Sequence, residues 1–302
     1  MVVLAIATGV AQFLALRRDT LLDKATIDTF KRRLQAWWLM CAVLAATFLM
    51  GRVATVVLFG LISFWALREF ITLTPTRTAD HRALFWVFFL FTPLQYLLVG
   101  MNQYGLYSVL IPVYGFLFIP ARIALAGDYK RFLERTAKIQ AGLMVCVYCL
   151  SYAPALLYLS LPASTAPGDH NALLLFFFVL VVQIGDVFEY VWEKLVGGHV
   201  IAPAINSSRT WEGLLGGALS ASLLGTLLWW ATPFTPWEAG IMSLVITVAG
   251  FAGTMTMSAV KRDRGVADYG TLVTGHGGVL DRLDSVCFAA PIFFHITRFL
   301  LP

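Results

Sequence analysis

Long apolar runs constrain this chain more than any other feature. Ten can be placed, at approximately 2–16, 35–50, 53–69, 83–99, 104–125, 137–161, 172–193, 213–231, 238–258 and 284–301. A helix crossing a bilayer needs about 20 mostly apolar residues, because hydrocarbon offers no hydrogen-bond partner to irregular backbone. Most of these runs lack the polar face that a helix of a soluble core would show. Composition agrees: of 302 residues, 59% are hydrophobic and only 13% are charged, against about 25% charged in a soluble domain. The expected fold class is all-α, a polytopic integral membrane protein with about ten transmembrane helices. The first segment has no basic residue before it, while Arg17 and Arg18 follow it. That is the pattern of an anchor with its N-terminus outside, not of a cleaved signal.

Loop charge gives the orientation. Basic residues gather in 17–33, 68–82, 122–138, 194–212 and 259–283, whereas "GMNQYG", "PASTAPGDHN" and "TPFTPWEAG" hold no Lys or Arg. Arg52, in a tight turn, is the exception. Alternation of this kind places basic loops in the cytoplasm and both termini outside. The net charge of +5 is then a property of cytoplasmic loops, and no basic-aromatic patch points to nucleic acid. Cys41, Cys146, Cys149 and Cys287 all lie in or beside apolar runs. The C-x-x-C of Cys146 and Cys149 has no second ligand pair, so these read as small apolar side chains rather than metal or redox groups.

Two of the basic loops carry unusual residues. In "VVQIGDVFEYVWEKLVGGHVIAPAINSSRTWEGLLGG", Asp186, Glu189 and Glu193 recur at three- to four-residue spacing, which puts them on one helix face. Carboxylates in a membrane helix are costly and line wet cavities or ion sites. The run to Arg209, Thr210 and Glu212 supplies N-cap groups and one guanidinium before the next apolar span. The second stretch, "SAVKRDRGVADYGTLVTGHGGVLDRLDS", sets Asp263, Asp268, Asp281 and Asp284 beside Lys261, Arg262, Arg264 and Arg282. A helix starting near Gly278 would carry Asp281 and Asp284 on one face of its first turns, where the dipole favours carboxylates. These two, with Asp268 and Asp186, form a candidate oxygen ligand set for a divalent cation such as Mg²⁺, and a second metal ion is an option. Gly275, Gly277 and Gly278 would let backbone amides approach a phosphate, and Lys261 and Arg262 add cationic donors. Positive-inside alone would account for the arginines but not for four aspartates among glycines.

The second stretch resembles the signature of the phosphatidate cytidylyltransferases, the CDP-diacylglycerol synthases. That signature runs S-x-x-K-R-x-x-x-x-K-D-x-G, then H-G-G-x-x-D-R-x-D. Ser258, Lys261, Arg262, Asp268, Gly270, His276, Gly277, Gly278, Asp281, Arg282 and Asp284 fall on it without gaps. Asp186, Tyr190, Lys194, Gly197, His199, Pro203, Thr210, Glu212 and Gly213 fit the family's other conserved region. The resemblance implies transfer of CMP from CTP to phosphatidic acid with Mg²⁺, in a bacterial inner membrane, with the active-site loops cytoplasmic. It implies catalytic roles for Asp268, Asp281, Asp284, Lys261 and Arg262. Ser258, His276, Gly277, Gly278, Arg282, Arg209, Thr210 and Glu212 would bind substrate, and Asp186 would join the metal ligands. On this reading 136–302 is the catalytic membrane region, and 1–135 serves anchoring, packing or homodimer contacts.

The chain departs from the family pattern at several positions. Ala267 stands where the family has Lys, which deletes a cation from a phosphate site and implies impaired turnover. Val273 and Thr274, and Asn206-Ser207 with Arg209 in the upstream loop, are milder changes. Three rival readings follow: another CTP-using lipid enzyme, such as a polyprenol kinase or a cytidylyltransferase for a different anionic lipid; a catalytically silent lipid-binding relative; and a transporter. The transporter would need related halves and polar groups at mid-membrane, but the charges gather at one face and the sequence has no convincing internal repeat.

Overall fold

The structure, a computed structural model, describes residues 46, 50–74, 76–161, 170–270 and 277–301. The first two expected spans therefore lie almost wholly outside the described residues, as do Cys41 and His276. Eight long helices follow one another: α1 Arg52–Leu73, α2 Thr78–Gly100, α3 Tyr104–Ala124, α4 Phe132–Tyr158, α5 His170–Leu195, α6 Trp211–Leu227, α7 Pro236–Arg264 and α8 Asp284–Leu300. Among the described residues six of them, α1 to α5 and α7, are long and apolar enough to cross a membrane. Helices α6 and α8 have 17 residues each. The all-α expectation omits one small feature. An antiparallel hairpin, β1 Val200–Ala202 and β2 Asn206–Thr210, pairs Val200 with Thr210 and Ala202 with Asn206. It forms because the Gly- and Pro-containing loop cannot continue α5, and Ile205 N–H closes the turn on the Ala202 carbonyl at 3.0 Å.

Apolar surroundings oblige every backbone group to find a partner, and the helix irregularities show how. Pro112 and Pro120 in α3 cannot donate to the carbonyls of Ser108 and Phe116 one turn back. Helix α4 supplies both missing donors: the Tyr148 hydroxyl donates to Ser108 at 3.0 Å, and Gln140 Nε2 to Phe116 at 2.8 Å. In α4 the turn Met144–Cys149 is π-helical, and Ser63 Oγ of α1 donates to the Cys146 carbonyl at 2.7 Å. Cys146 and Cys149 lie in that turn, the first of them buried.

Glycines bring the later helices close. A Cβ at Gly217 of α6 would lie 2.5 Å from Glu189 Cγ, and one at Gly185 of α5 would lie 3.1 Å from Thr247 Oγ1 of α7. One at Gly250 of α7 would lie 3.2 Å from Ser285 Cβ of α8. These contacts let α5, α7 and α8 carry polar groups to a common place.

Antiparallel succession puts the ends of α1, α3, α5 and α7 together with the starts of α2, α4, α6 and α8. A buried clamp ties the first of these turns. Arg135 is 4% exposed, and Asp80, which it pairs with, is fully buried. Its guanidinium donates to Asp80 at 2.6 and 3.0 Å, to the Asp128 and Lys130 carbonyls at 3.1 and 2.8 Å, and pairs with the Asp128 carboxylate at 3.1 Å. Removing one member of such a pair leaves an uncompensated buried charge. Arg135→Ala is expected to destabilise the protein by about 3–5 kcal/mol, read as a fall in the thermal unfolding midpoint in detergent. The double change Asp80→Leu with Arg135→Leu should recover much of that loss.

Candidate active site

Two carboxylate centres form at this end of the bundle. The first is built around Asp281. Helix α7 ends because Gly265 adopts φ +69°, with its N–H on the Arg262 carbonyl at 3.1 Å and the Val266 N–H on Lys261 at 3.0 Å. The chain then doubles back, and Tyr269 anchors it. This ring is 3% exposed, stacks on Phe70 of α1 at 6.3 Å between centroids, and donates its hydroxyl to the Met257 carbonyl at 2.9 Å. Asp281 Oδ2 accepts the N–H of Tyr269 at 2.8 Å and of Gly278 at 2.9 Å, and Oδ1 accepts Lys261 Nζ at 2.8 Å. Gly277 has φ +83°, and a Cβ there would meet Asp281 Oδ2 at 2.9 Å and Asp268 Oδ1 at 3.0 Å. Only glycine suits that position. Asp268 is exposed.

The second centre is built around Ser285. Its hydroxyl lies 2.9 and 3.0 Å from the two Asp186 oxygens, 3.5 Å from Asp284 Oδ1 and 3.0 Å from Thr254 Oγ1. Asp284 is 8% exposed, and its carboxylate takes the Ser285 N–H at 2.8 Å. Beside it, Arg209 pairs with Glu189 at 2.8 Å and Glu193 at 3.1 Å and lies 5.9 Å from the Phe251 ring centroid. Glu189 is fully buried, and its Oε1 has no hydrogen-bond partner among the described residues.

The remaining expected site residues have local duties. Thr210 Oγ1 caps α6 by accepting the Gly213 N–H at 3.1 Å. Glu212 accepts His199 Nδ1 at 2.5 Å and the backbone N–H groups of His199 and Gly198 at 3.2 and 3.3 Å. Those hydrogen bonds, the His199 side chain foremost, hold its carboxyl down to about 2. Ser258 accepts Asn206 Nδ2 at 3.3 Å, and Arg262 Nε donates to the Ile205 carbonyl at 3.1 Å, so α7 grips the hairpin. Arg282 lies in the 3₁₀ turn Leu280–Arg282.

Two differences from the sequence reading stand out. Helix α8 begins at Asp284, not near Gly278. The segment before it is a 3₁₀ turn whose first amides go to a side chain from another helix: Glu69 of α1 accepts Val279 N–H at 3.0 Å and Leu280 N–H at 2.9 Å. Asp281 therefore lies in the turn and Asp284 at the helix start, each with its own hydrogen-bond partners. Of the four expected metal ligands, Asp186 and Asp284 flank one hydroxyl, while Asp268 and Asp281 both border Gly277. Among the described residues no three His, Cys, Asp or Glu side chains converge as a metal-holding group. Mg²⁺ is commonly held through one or two carboxylates plus substrate phosphates. Asp186 and Asp284 fit that mode: they are hard oxygen donors on either side of one hydroxyl. Asp281 fits it less well, with three donors already on its two oxygens. Glu69, Tyr269 and Ser285 went unremarked in the sequence, since each matters only through a contact distant in the chain.

A family profile described as "Cytidylyltransferase family" matches residues 31–300. The chain is 38% identical over 271 residues to the uncharacterized protein YnbB of Escherichia coli strain K12, covering 88% of this chain and 87% of that one. It is 30% identical over 238 residues to the phosphatidate cytidylyltransferase of Brucella abortus biovar 1, covering 78% and 80%. With the phosphatidate cytidylyltransferase of Rickettsia bellii it shares 34% identity over 135 residues, covering 42% of this chain and 58% of that one.

The cap assignment of Thr210 has a direct test. Thr210→Ala should cost about 1 kcal/mol and speed amide hydrogen exchange at 211–213, whereas Thr210→Ser should keep both near the parent. Equal exchange in all three would remove the cap.

Proposed function

Because the chain belongs to the cytidylyltransferase family, we propose that it transfers CMP from CTP to phosphatidic acid, giving CDP-diacylglycerol and pyrophosphate. The observation that carries this reading is the pairing of a cation-braced glycine loop with a carboxylate pair, buried at Asp284 and half-buried at Asp186, at one end of an apolar bundle. Lys261, Asp281 and Gly278 form the first; Asp186, Ser285 and Asp284 form the second. The substrates ask for that combination, since one is a water-soluble polyphosphate and the other a lipid whose phosphate lies at the membrane surface.

An oxygen of the lipid phosphate attacks the α-phosphorus of CTP, a new P–O bond forms, and the bond to the β-phosphate breaks to release pyrophosphate. Nucleophile and leaving group are both anionic, so the task of the protein is alignment and charge neutralisation. A phosphate monoester is largely ionised near neutral pH and needs no strong general base. Asp186 and Asp284 would hold Mg²⁺, which when bound neutralises phosphate oxygens. Asp281 shapes the loop by fixing the amides of Tyr269 and Gly278, and it orients Lys261 toward the phosphates. Arg262 keeps guanidinium N–H groups free of the Ile205 contact and is exposed. Arg209 offsets part of the charge of Glu189 and Glu193 beside the metal pair. On this reading the active-site loops face the cytoplasm, in keeping with their basic charge.

Ala267 bears on rate. A lysine there would set an ammonium next to Asp268. The nearest alternatives have partners already: Lys261 holds Asp281, and Arg264 pairs with Asp263. Removing one donor from a preorganised electrostatic site costs roughly 10²–10³ in rate.

The deciding experiment resolves the products of radiolabelled CTP in micelles, pyrophosphate and CDP alike, against phosphatidic acid, other anionic lipids and polyprenol, with Mg²⁺ varied. Phosphatidic acid should be the preferred acceptor, with pyrophosphate released; release of CDP with polyprenol alone, the mark of γ-phosphate transfer, would replace this reading with a kinase. Assayed beside the parent, Ala267→Lys should raise turnover about tenfold or more; equal rates would show that position 267 is silent.

In the Ala267→Lys background, the two aspartates should separate. Asp284→Asn should raise the Mg²⁺ concentration needed for half-maximal turnover, because it removes a hard anionic ligand. Asp281→Asn should instead raise KM for CTP at saturating Mg²⁺. The reverse pattern would exchange their roles.

A further inference from the structure

Glu69 sits near the end of α1, in the part of the chain whose sequence gave no role, yet it reaches the loop that carries the glycine and aspartate motif 210 residues later. It is 4% exposed. Its two oxygens are divided between two consecutive amides, Oε1 on Val279 at 3.0 Å and Oε2 on Leu280 at 2.9 Å. They are the N–H groups of the residue that caps the 3₁₀ turn Leu280–Arg282 and of its first residue, so a carboxylate there satisfies two otherwise orphaned donors.

The surrounding glycines are fitted to this side chain. A Cβ at Gly270 would lie 2.7 Å from Glu69 Oε1, and one at Gly278 would be closer still to Oε2. Both arms of the loop therefore pass over one carboxylate. The next residue, Phe70, stacks on Tyr269, whose N–H goes to Asp281. Two neighbouring residues of α1 thus hold 269–270 on one side and 278–280 on the other. Asp281 depends on both arms, because it accepts one amide from each.

We infer that Glu69 is a positioning residue for nucleotide transfer, acting through the Val279 and Leu280 amides to fix the glycine loop and Asp281 against the triphosphate. This rests on the cytidylyltransferase reading. It makes α1 part of the active site's support. The length of the side chain matters: aspartate is one methylene too short to span both amides, and glutamine keeps the shape but has one acceptor oxygen and no charge. Loss should therefore rank Ala and Asp above Gln.

The test uses the full chain in micelles, with Ala267→Lys as a second parent. Steady-state constants for CTP and lipid are measured beside hydrogen exchange of the 277–283 segment. Glu69→Ala should raise KM for CTP about tenfold or more, leave KM for the lipid within about twofold, and speed exchange at 278–281 while α5 and α7 keep their protection. Glu69→Gln, which preserves shape and should fold even where alanine fails, should lie between alanine and the parent. Faster loop exchange with unchanged kinetic constants would reduce Glu69 to a structural anchor and overturn the inference, as would unchanged exchange and kinetics together. Absence of CTP turnover in both parents, with the loop still loosened by Glu69→Ala, would instead overturn the cytidylyltransferase reading while upholding Glu69 as the loop's anchor.

Discussion

A polar group inside an apolar bundle must find a partner within the protein, and this requirement organises the molecule at every scale. It explains why α3 and α4 pack as they do, with Tyr148 and Gln140 taking the carbonyls that Pro112 and Pro120 release. It explains the reach of Ser63 into the π-turn at Cys146. The same rule shapes the charged end: Arg135 is surrounded by carbonyls and carboxylates, and the amides of Val279 and Leu280 are given to Glu69.

At the candidate active site the rule divides the labour among carboxylates. Asp281 has its oxygens occupied by two amides and an ammonium, so it is fixed and has little lone-pair capacity left. Asp186 and Asp284 share one hydroxyl, whose single proton leaves most of their lone pairs free. A group with spent lone pairs gives shape, and a pair with spare ones attracts a hard cation. The difference follows from their partners: Asp281 lies in the 3₁₀ turn and Asp284 opens α8, and each takes its own backbone amides.

Small residues let these groups meet. Gly185, Gly217 and Gly250 bring α5, α6, α7 and α8 to near backbone contact, and Gly277 lets the loop turn where any Cβ would strike Asp268 and Asp281. Larger side chains at Gly250 or Gly277 would push Ser285 from Asp186 or Asp281 from its amides. The N-terminal helices share in this support, since α1 brings Glu69 and Phe70 to the C-terminal loop. A division of the chain into a membrane anchor and a separate catalytic region does not capture that dependence.

The apolar runs, the alternation of loop charge and the gapless motif from Ser258 to Asp284 were enough to read a helical membrane protein, its charged end and its family. Those signals are local: hydropathy acts over one span, and a motif is a string of neighbours. Thr210 before an apolar run was legible as a cap for the same reason. Glu69 was not, because nothing in "LREFIT" distinguishes a buried carboxylate from an interfacial one. Its meaning comes from amides more than 200 residues away. The split of four aspartates into two centres was equally hidden, since sequence spacing places Asp281 and Asp284 on one face only if the helix already runs through both. Sequence thus determined which chemical groups this chain owns and at which end of the bundle they gather. Tertiary structure decided which of them keep free lone pairs, because buried amides and ammonium groups claim carboxylates by proximity in space, not in chain order.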